Sequence, residues 1–170
     1  MQAKLGVLLA QFPPSFINDY YANQILQAII KFFNEYSLAV ELRHKSWSDD
    51  PGTAKLLKEN NVTLAQIDEP KFNISIASEV PVTADVAYFR YHGRNRENWW
   101  KGNGETRYQY LYSPEEIVAL AEKVKTAASQ TRLTFAFFNN HWKAYAPRNA
   151  VDLEKSLQLP FVDLPVKIME

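Results

Sequence analysis

The residues with chemistry to offer stand at the ends of short apolar runs. Glu41 and Arg43 close SLAVELR (37–43), Arg90 and His92 close VAYFRYH (86–92), and Asp68 follows VTLAQI (62–67). Gln11 lies near the end of LGVLLAQF (5–12), Arg94 lies two residues past His92, and Asn139 and Asn140 follow RLTFAFF (132–138). Guanidinium groups bind carboxylate or phosphate through paired hydrogen bonds, so Arg43, Arg90 and Arg94 suit an anionic substrate. Glu41 or Asp68 fits the role of general base and His92 that of acid or base. Gln11, Asn139 and Asn140 would orient a substrate by hydrogen bonds. A metal-assisted version would take Glu41, Asp68 and His92 as ligands of a divalent ion. The sequence itself requires no cofactor: His44 and His92 show no HExxH spacing, and GxGxxG, P-loop and GxSxG patterns are absent.

Strand–helix alternation must position these groups. Apolar runs predict strands at 5–12, 37–43, 62–67, 86–92 and 132–138. Helical patterns predict helices at 17–35, with Ile25, Ile29, Ile30 and Phe33 as the buried stripe, and at 51–60, 114–129 and 147–158. Asp50 before Pro51 and Ser113 with Glu116 are N-terminal capping signals. The tail from 159 is too broken by proline to assign. This order implies parallel strands with right-handed crossovers, in an open α/β sheet or part of a barrel, forming one domain. Strand side chains alternate faces. That puts Leu9 with Gln11, Ala39 with Glu41 and Arg43, and Leu64 with Gln66 and Asp68. It also groups Tyr88 with Arg90 and His92, and Phe135 with Phe137 and Asn139. All five strands therefore end in polar residues on one face, at the edge where parallel α/β folds bind ligands. The competing reading is a structural ion-pair network of Glu41 and Asp68 with Arg43 and Arg90, filling a barrel mouth.

Composition narrows the classes. Nineteen basic residues balance nineteen acidic ones, which gives no whole-chain attraction to nucleic acid or membrane. The absence of cysteine excludes disulfides, thiolate catalysis and cysteine-bound zinc. The N-terminus lacks the apolar length of a signal or a membrane span, so the expected location is the cytoplasm. Trp99, Trp100, Tyr108, Tyr110 and Tyr112 lie among Arg94, Arg96, Lys101 and Arg107. The alternative function is thus a non-catalytic module that grips a nucleotide, single-stranded nucleic acid or sugar through loop 94–112. A loop packed down by its own rings would produce the same composition.

LGVLLAQFPPSF, AVELRHKSW, AYFRYHGR and FAFFNNHWKAYAPRNA, in this order and spacing, resemble the YecE-like family, known as domain of unknown function 72. The resemblance covers about residues 4–158. It implies a TIM-type (β/α)8 barrel, which usually needs about 250 residues. The match is to the later part only, with KLGVLLAQFPP near the fourth strand. The expectation is therefore a partial barrel of about five strands lacking its N-terminal strands, with Met1 as an internal start. Both sheet edges would be uncovered and available for self-association. The family implies no established reaction. Its recurrent residues fall here on Gln11, Pro13, Pro14, Glu41, Arg43, Trp47, Arg90, His92, Gly93, Asn139 and Asn140.

Overall fold

Apolar runs and amphipathic stretches do alternate as strands and helices in the computed structural model, which describes residues 5–160 except 105. Most of the unassigned tail, from 161 on, lies outside the described residues. The order is β1 (Leu8–Gln11), α1 (Tyr20–Phe32), β2 (Leu38–Glu41), α2 (Pro51–Glu59), β3 (Thr63–Leu64), β4 (Gln66–Asp68), β5 (Val86–Tyr91), α3 (Pro114–Ala128), β6 (Leu133–Phe138) and α4 (Tyr145–Ser156). Every strand pair is parallel. The described strands form two three-stranded sheets, β1-β2-β3 and β4-β5-β6, and no closed barrel.

The expected third strand is two strands, which makes six rather than five. The run breaks at Ala65: β3 pairs with β2, and β4 pairs with β5. A break in a buried ladder strands backbone polar groups, and these must find partners. Two buried threonines provide them. Leu64 N donates to Thr83 Oγ1 at 2.8 Å, Thr83 Oγ1 donates to Val62 O at 2.7 Å, and Thr63 Oγ1 donates to Val86 O at 2.6 Å. Ala65 N still donates to Val40 O. The two sheets are thus held together across the break.

Helices cover one face of the strands. Leu38, Val40, Leu42 and Leu64 pack against Leu26, Ile30 and Leu57, while Ala87, Phe89 and Tyr91 pack against Ile117, Leu120 and Val124. Ala39, Ala65 and Tyr88 meet on the opposite face, with Leu9 and Phe135 beside them. The capping expectations hold: Asp50 caps α2, and Ser113 and Glu116 form a capping box on α3. Of the expected α1 stripe, Ile30 is buried and Ile29 and Phe33 pack against the core, but Ile25 is half exposed and Ala22 and Leu26 are buried in its place. Ile25 precedes Leu26 in an apolar pair, and the helix rotates to bury the leucine. Among the described residues no helix is long and apolar enough to cross a membrane.

β5 ends abruptly at Gly93, whose φ of +87° is a conformation that L side chains rarely adopt. A Cβ there would also lie 2.7 Å from Tyr110 Cβ. Gly93→Ala is therefore expected to cost at least about 1 kcal/mol, the strain of a left-handed residue alone. Urea unfolding of the variant measures this.

Candidate functional site

Glu41 organises the strand ends. The last residue of β2, it is completely buried, and its register partner is Gln11 on β1. Arg43 Nε donates to Glu41 Oε1 at 2.8 Å, and Arg43 Nη2 lies 2.6 Å from the same oxygen. Arg90 Nη1 reaches both Glu41 Oε2 and Gln11 Oε1 at 2.5 Å. His92 Nε2 sits 3.1 Å from Arg43 Nη2 and 3.4 Å from Glu41 Oε1. His92 Nε2 thus faces a donor and an acceptor: it accepts from Arg43 when the imidazole proton rests on Nδ1, and donates to Glu41 Oε1 when the proton rests on Nε2. Nδ1 is buried without a partner, and the ring is flanked by Trp99 and Tyr108.

These positions follow from alternation. Ala39 and Tyr88 occupy the face opposite the helices, and Glu41, Arg43, Arg90 and His92 continue that face. Trp47 closes the turn after β2. It is almost fully buried, stacks on Phe16, and its Nε1 donates to Phe16 O at 2.7 Å. His44 caps this turn by accepting from Ser46 N, a structural role rather than a ligand-binding one.

Asp68 departs from the expectation. It shares a face with Leu64, and that face looks toward the helices. Arg94 holds it in a two-point ion pair at 2.8 and 2.7 Å, and Tyr112 donates to it at 2.9 Å. Arg94 also binds Glu116 at 2.7 Å. The expected network of Asp68 with Arg43 and Arg90 is therefore absent, and Glu69 takes that place with Oε2 at 3.3 Å from Arg43 Nη1. Sequence reasoning missed Glu69 because it follows the strand, in a stretch read as irregular. The adjacent carboxylates Asp68-Glu69, pointing opposite ways, were the available signal. The split also separates Glu41, Asp68 and His92 as a metal-ligand set: the described residues contain no group of three acidic or histidine side chains placed to hold an ion.

Asn140 is likewise displaced from substrate orientation. It is completely buried, and its Nδ2 donates to Tyr110 O and to Asn149 Oδ1, both at 2.8 Å. Asn149, which sequence reasoning also missed, brackets Tyr112 by accepting from its N and donating to its O. Asn139 N donates to Tyr91 O, which fixes the strand end. The loop's rings turn inward: Trp99 and Tyr112 are buried, and Trp100 is the ring left more than half exposed. Arg107 lies over Trp99 and Arg96 over Phe72.

Electrostatics redistribute the roles. Burial alone would raise Glu41, but the His92 hydrogen bond and the charges of Arg43 and Arg90 hold it at about 2. So acidic a carboxylate is a poor general base near neutral pH. Burial pushes Glu69 above its ordinary value, against the pull of Arg43. Burial pushes His92 below its own, opposed by Glu41. These two groups approach each other from opposite sides, and both touch Arg43.

The architecture and the site define an α/β protein with parallel strands and a charged cluster at their C-terminal ends. The chain belongs to the DUF72 family: the family described as "Protein of unknown function DUF72" matches residues 1–167. The "UPF0759 protein YunF" of Bacillus subtilis is 26% identical over 171 residues, covering 95% of this chain and 61% of that protein. A DUF72 family protein of known structure from Thermotoga maritima is 39% identical with a TM-score of 0.85, over 90% of this chain and 58% of the other. One from Enterococcus faecalis is 32% identical with a TM-score of 0.84, over 99% and 64%. The chain thus spans about three-fifths of the length of these relatives.

Holding Glu41 at about 2 rather than its ordinary 4.5 corresponds to roughly 3 kcal/mol of folding stability. The folded value is the lower one, so this contribution is fully present above pH 4.5 and is lost as the pH falls through about 2. Glu41→Gln is expected to lose about 3 kcal/mol or more at pH 7, since it leaves two buried guanidinium groups short of a counter-charge. It should also flatten the stability profile below pH 4.5, which urea unfolding at a series of pH values will reveal.

Proposed function

We propose that this chain supplies the later part of a TIM-type barrel, and that its strand-end cluster binds a small anionic ligand carrying a carboxylate or phosphate. The barrel reading is supported by the uniformly parallel strands, the helices on one face and the likeness to longer DUF72 structures. In this reading β1 and β6 pair with strands outside these residues or with those of a second copy.

One observation carries the ligand reading. Arg90 uses only Nη1 on Glu41 and Gln11, and its Nε and Nη2 have no acceptor among the described residues. Arg43, by contrast, is consumed by Glu41, Glu69 and His92. Arg90 is therefore a guanidinium with its orientation set and a donor pair to spare, the arrangement that takes an anion in two parallel hydrogen bonds. If the ligand is a substrate, proton transfer falls to Glu69, which burial moves toward the useful range, with the His92 imidazole beside Arg43 as its partner, and not to Glu41. Glu41 acts as a positioning residue. The inward packing of loop 93–112 weakens the alternative of a base- or sugar-stacking module.

The test is titration of the full chain with succinate and with phosphate, followed through the Arg90 Nε–H signal by NMR. Saturable movement of that signal is expected. Arg90→Lys, which keeps charge but loses the fork, should weaken succinate binding about tenfold, the loss of roughly one charge-assisted hydrogen bond. An Arg90 signal that ignores both anions overturns the reading.

A further inference from the structure

A second cationic recess lies beyond the end of β4, on the other side of Glu69 from the Arg90 cluster. It has a volume of about 430 Å³ and is walled by the segment after β4, the start of the β5–α3 loop and Lys123 of α3. Lys71, Arg94, Arg96 and Lys123 contribute four positive charges against the carboxylates of Asp68 and Glu69. Glu116 and Glu79 also meet Arg94 and Lys123, so the surplus lies with Lys71 and Arg96, neither of which has an ion-pair partner among the described residues. Asp68 is committed to Arg94 and Tyr112. Glu69 has a side chain 4% exposed, its Oε2 lies 3.3 Å from Arg43 Nη1, and burial holds it above its ordinary value.

The cations have capacity to spare. The Lys71 ammonium spends one hydrogen bond on Ile76 O at 3.2 Å and forms no ion pair among the described residues. Arg96 donates Nη1 to Lys71 O, and its plane lies over Phe72 at 4.8 Å, leaving its other donors without an acceptor among the described residues. Among the described residues Lys123 meets Glu79 alone, in an exposed ion pair of the kind worth little in water. Ser78 adds a hydroxyl to the rim. Burial, with the fields of Lys123 and Arg94, lowers Lys71 below its ordinary value despite the two carboxylates. A surplus of converging donors around a partly desolvated lysine is the electrostatic complement of a multiply charged oxyanion. The volume admits a phosphate together with a small organic body.

We propose that this recess is a binding site for the phosphate group of a small phosphoester, built by Lys71, Arg96 and Lys123 with Ser78, and separate from the Arg90 cluster. It does not depend on the reading given for that cluster.

The probe is inorganic phosphate, titrated into the full chain by calorimetry at low salt. Saturable binding is expected, with affinity falling as chloride is added. Lys71→Gln and Arg96→Gln should each weaken it at least tenfold, while Lys55→Gln on α2, which does not line the recess, leaves it unchanged. Circular dichroism melting checks each fold. If Lys71→Gln does not fold, Arg96→Gln decides, because the Arg96 guanidinium lies at the rim. Unaltered phosphate binding in Arg96→Gln, or no binding up to millimolar phosphate, overturns the proposal. So does loss of all phosphate binding in Arg90→Met alone, which would place the anion at the strand-end cluster instead.

Discussion

A carboxylate buried without water must be surrounded by donors, and Glu41 imposes that requirement on everything near it. Its two oxygens are met by Arg43 on one side and Arg90 on the other, with His92 completing the shell. Those partners come from two strands that are not neighbours, since β3 and β4 lie between β2 and β5. The ion pair therefore fixes how the β1-β2-β3 sheet meets the β4-β5-β6 sheet. It also fixes the orientation of every other polar group at the strand ends. Such clusters seldom add stability over an apolar core of equal shape, but breaking one is severe.

Much of this could be read in the sequence. Two-residue periodicity located Gln11, Glu41, Arg43, Arg90 and His92 on a shared face, because their strands are apolar on both sides and regular to the end. The same rule grouped Leu64, Gln66 and Asp68 correctly but assigned them to the wrong side. The run TLAQID offered leucine to one face and alanine to the other, so hydrophobicity did not decide between them. The break at Ala65 and the threonine hydroxyls that repair it depend on Thr83, eighteen residues farther along, and no local pattern announces that. Asn140 and Asn149 were opaque for a related reason. A buried amide and a substrate-orienting amide look alike until their partners are known.

The two arginine-bearing regions differ in how their charge is committed. At the strand ends, arginines and carboxylates nearly neutralise one another, and the spare capacity is confined to one guanidinium edge. In the recess beyond β4, Lys71 and Arg96 have no ion-pair partner among the described residues. Glu69 stands between the two regions, touching Arg43 on one side and lining the recess on the other. A change in its protonation is felt by both.

The amide bracket of Asn140 and Asn149 ties the loop after β5 to the end of β6 and the first turns of α4. This loop is anchored through its backbone at Tyr110 and Tyr112, and so it behaves as a wall and not as a flap. A solute approaching His92 from that side meets a surface already in its final shape. With Tyr110 and Tyr112 already anchored, a ligand reaching His92 from that side would not need to order this part of the loop first. The entropy of ordering the Tyr110–Tyr112 segment is met during folding, so it would not be charged against a ligand's affinity.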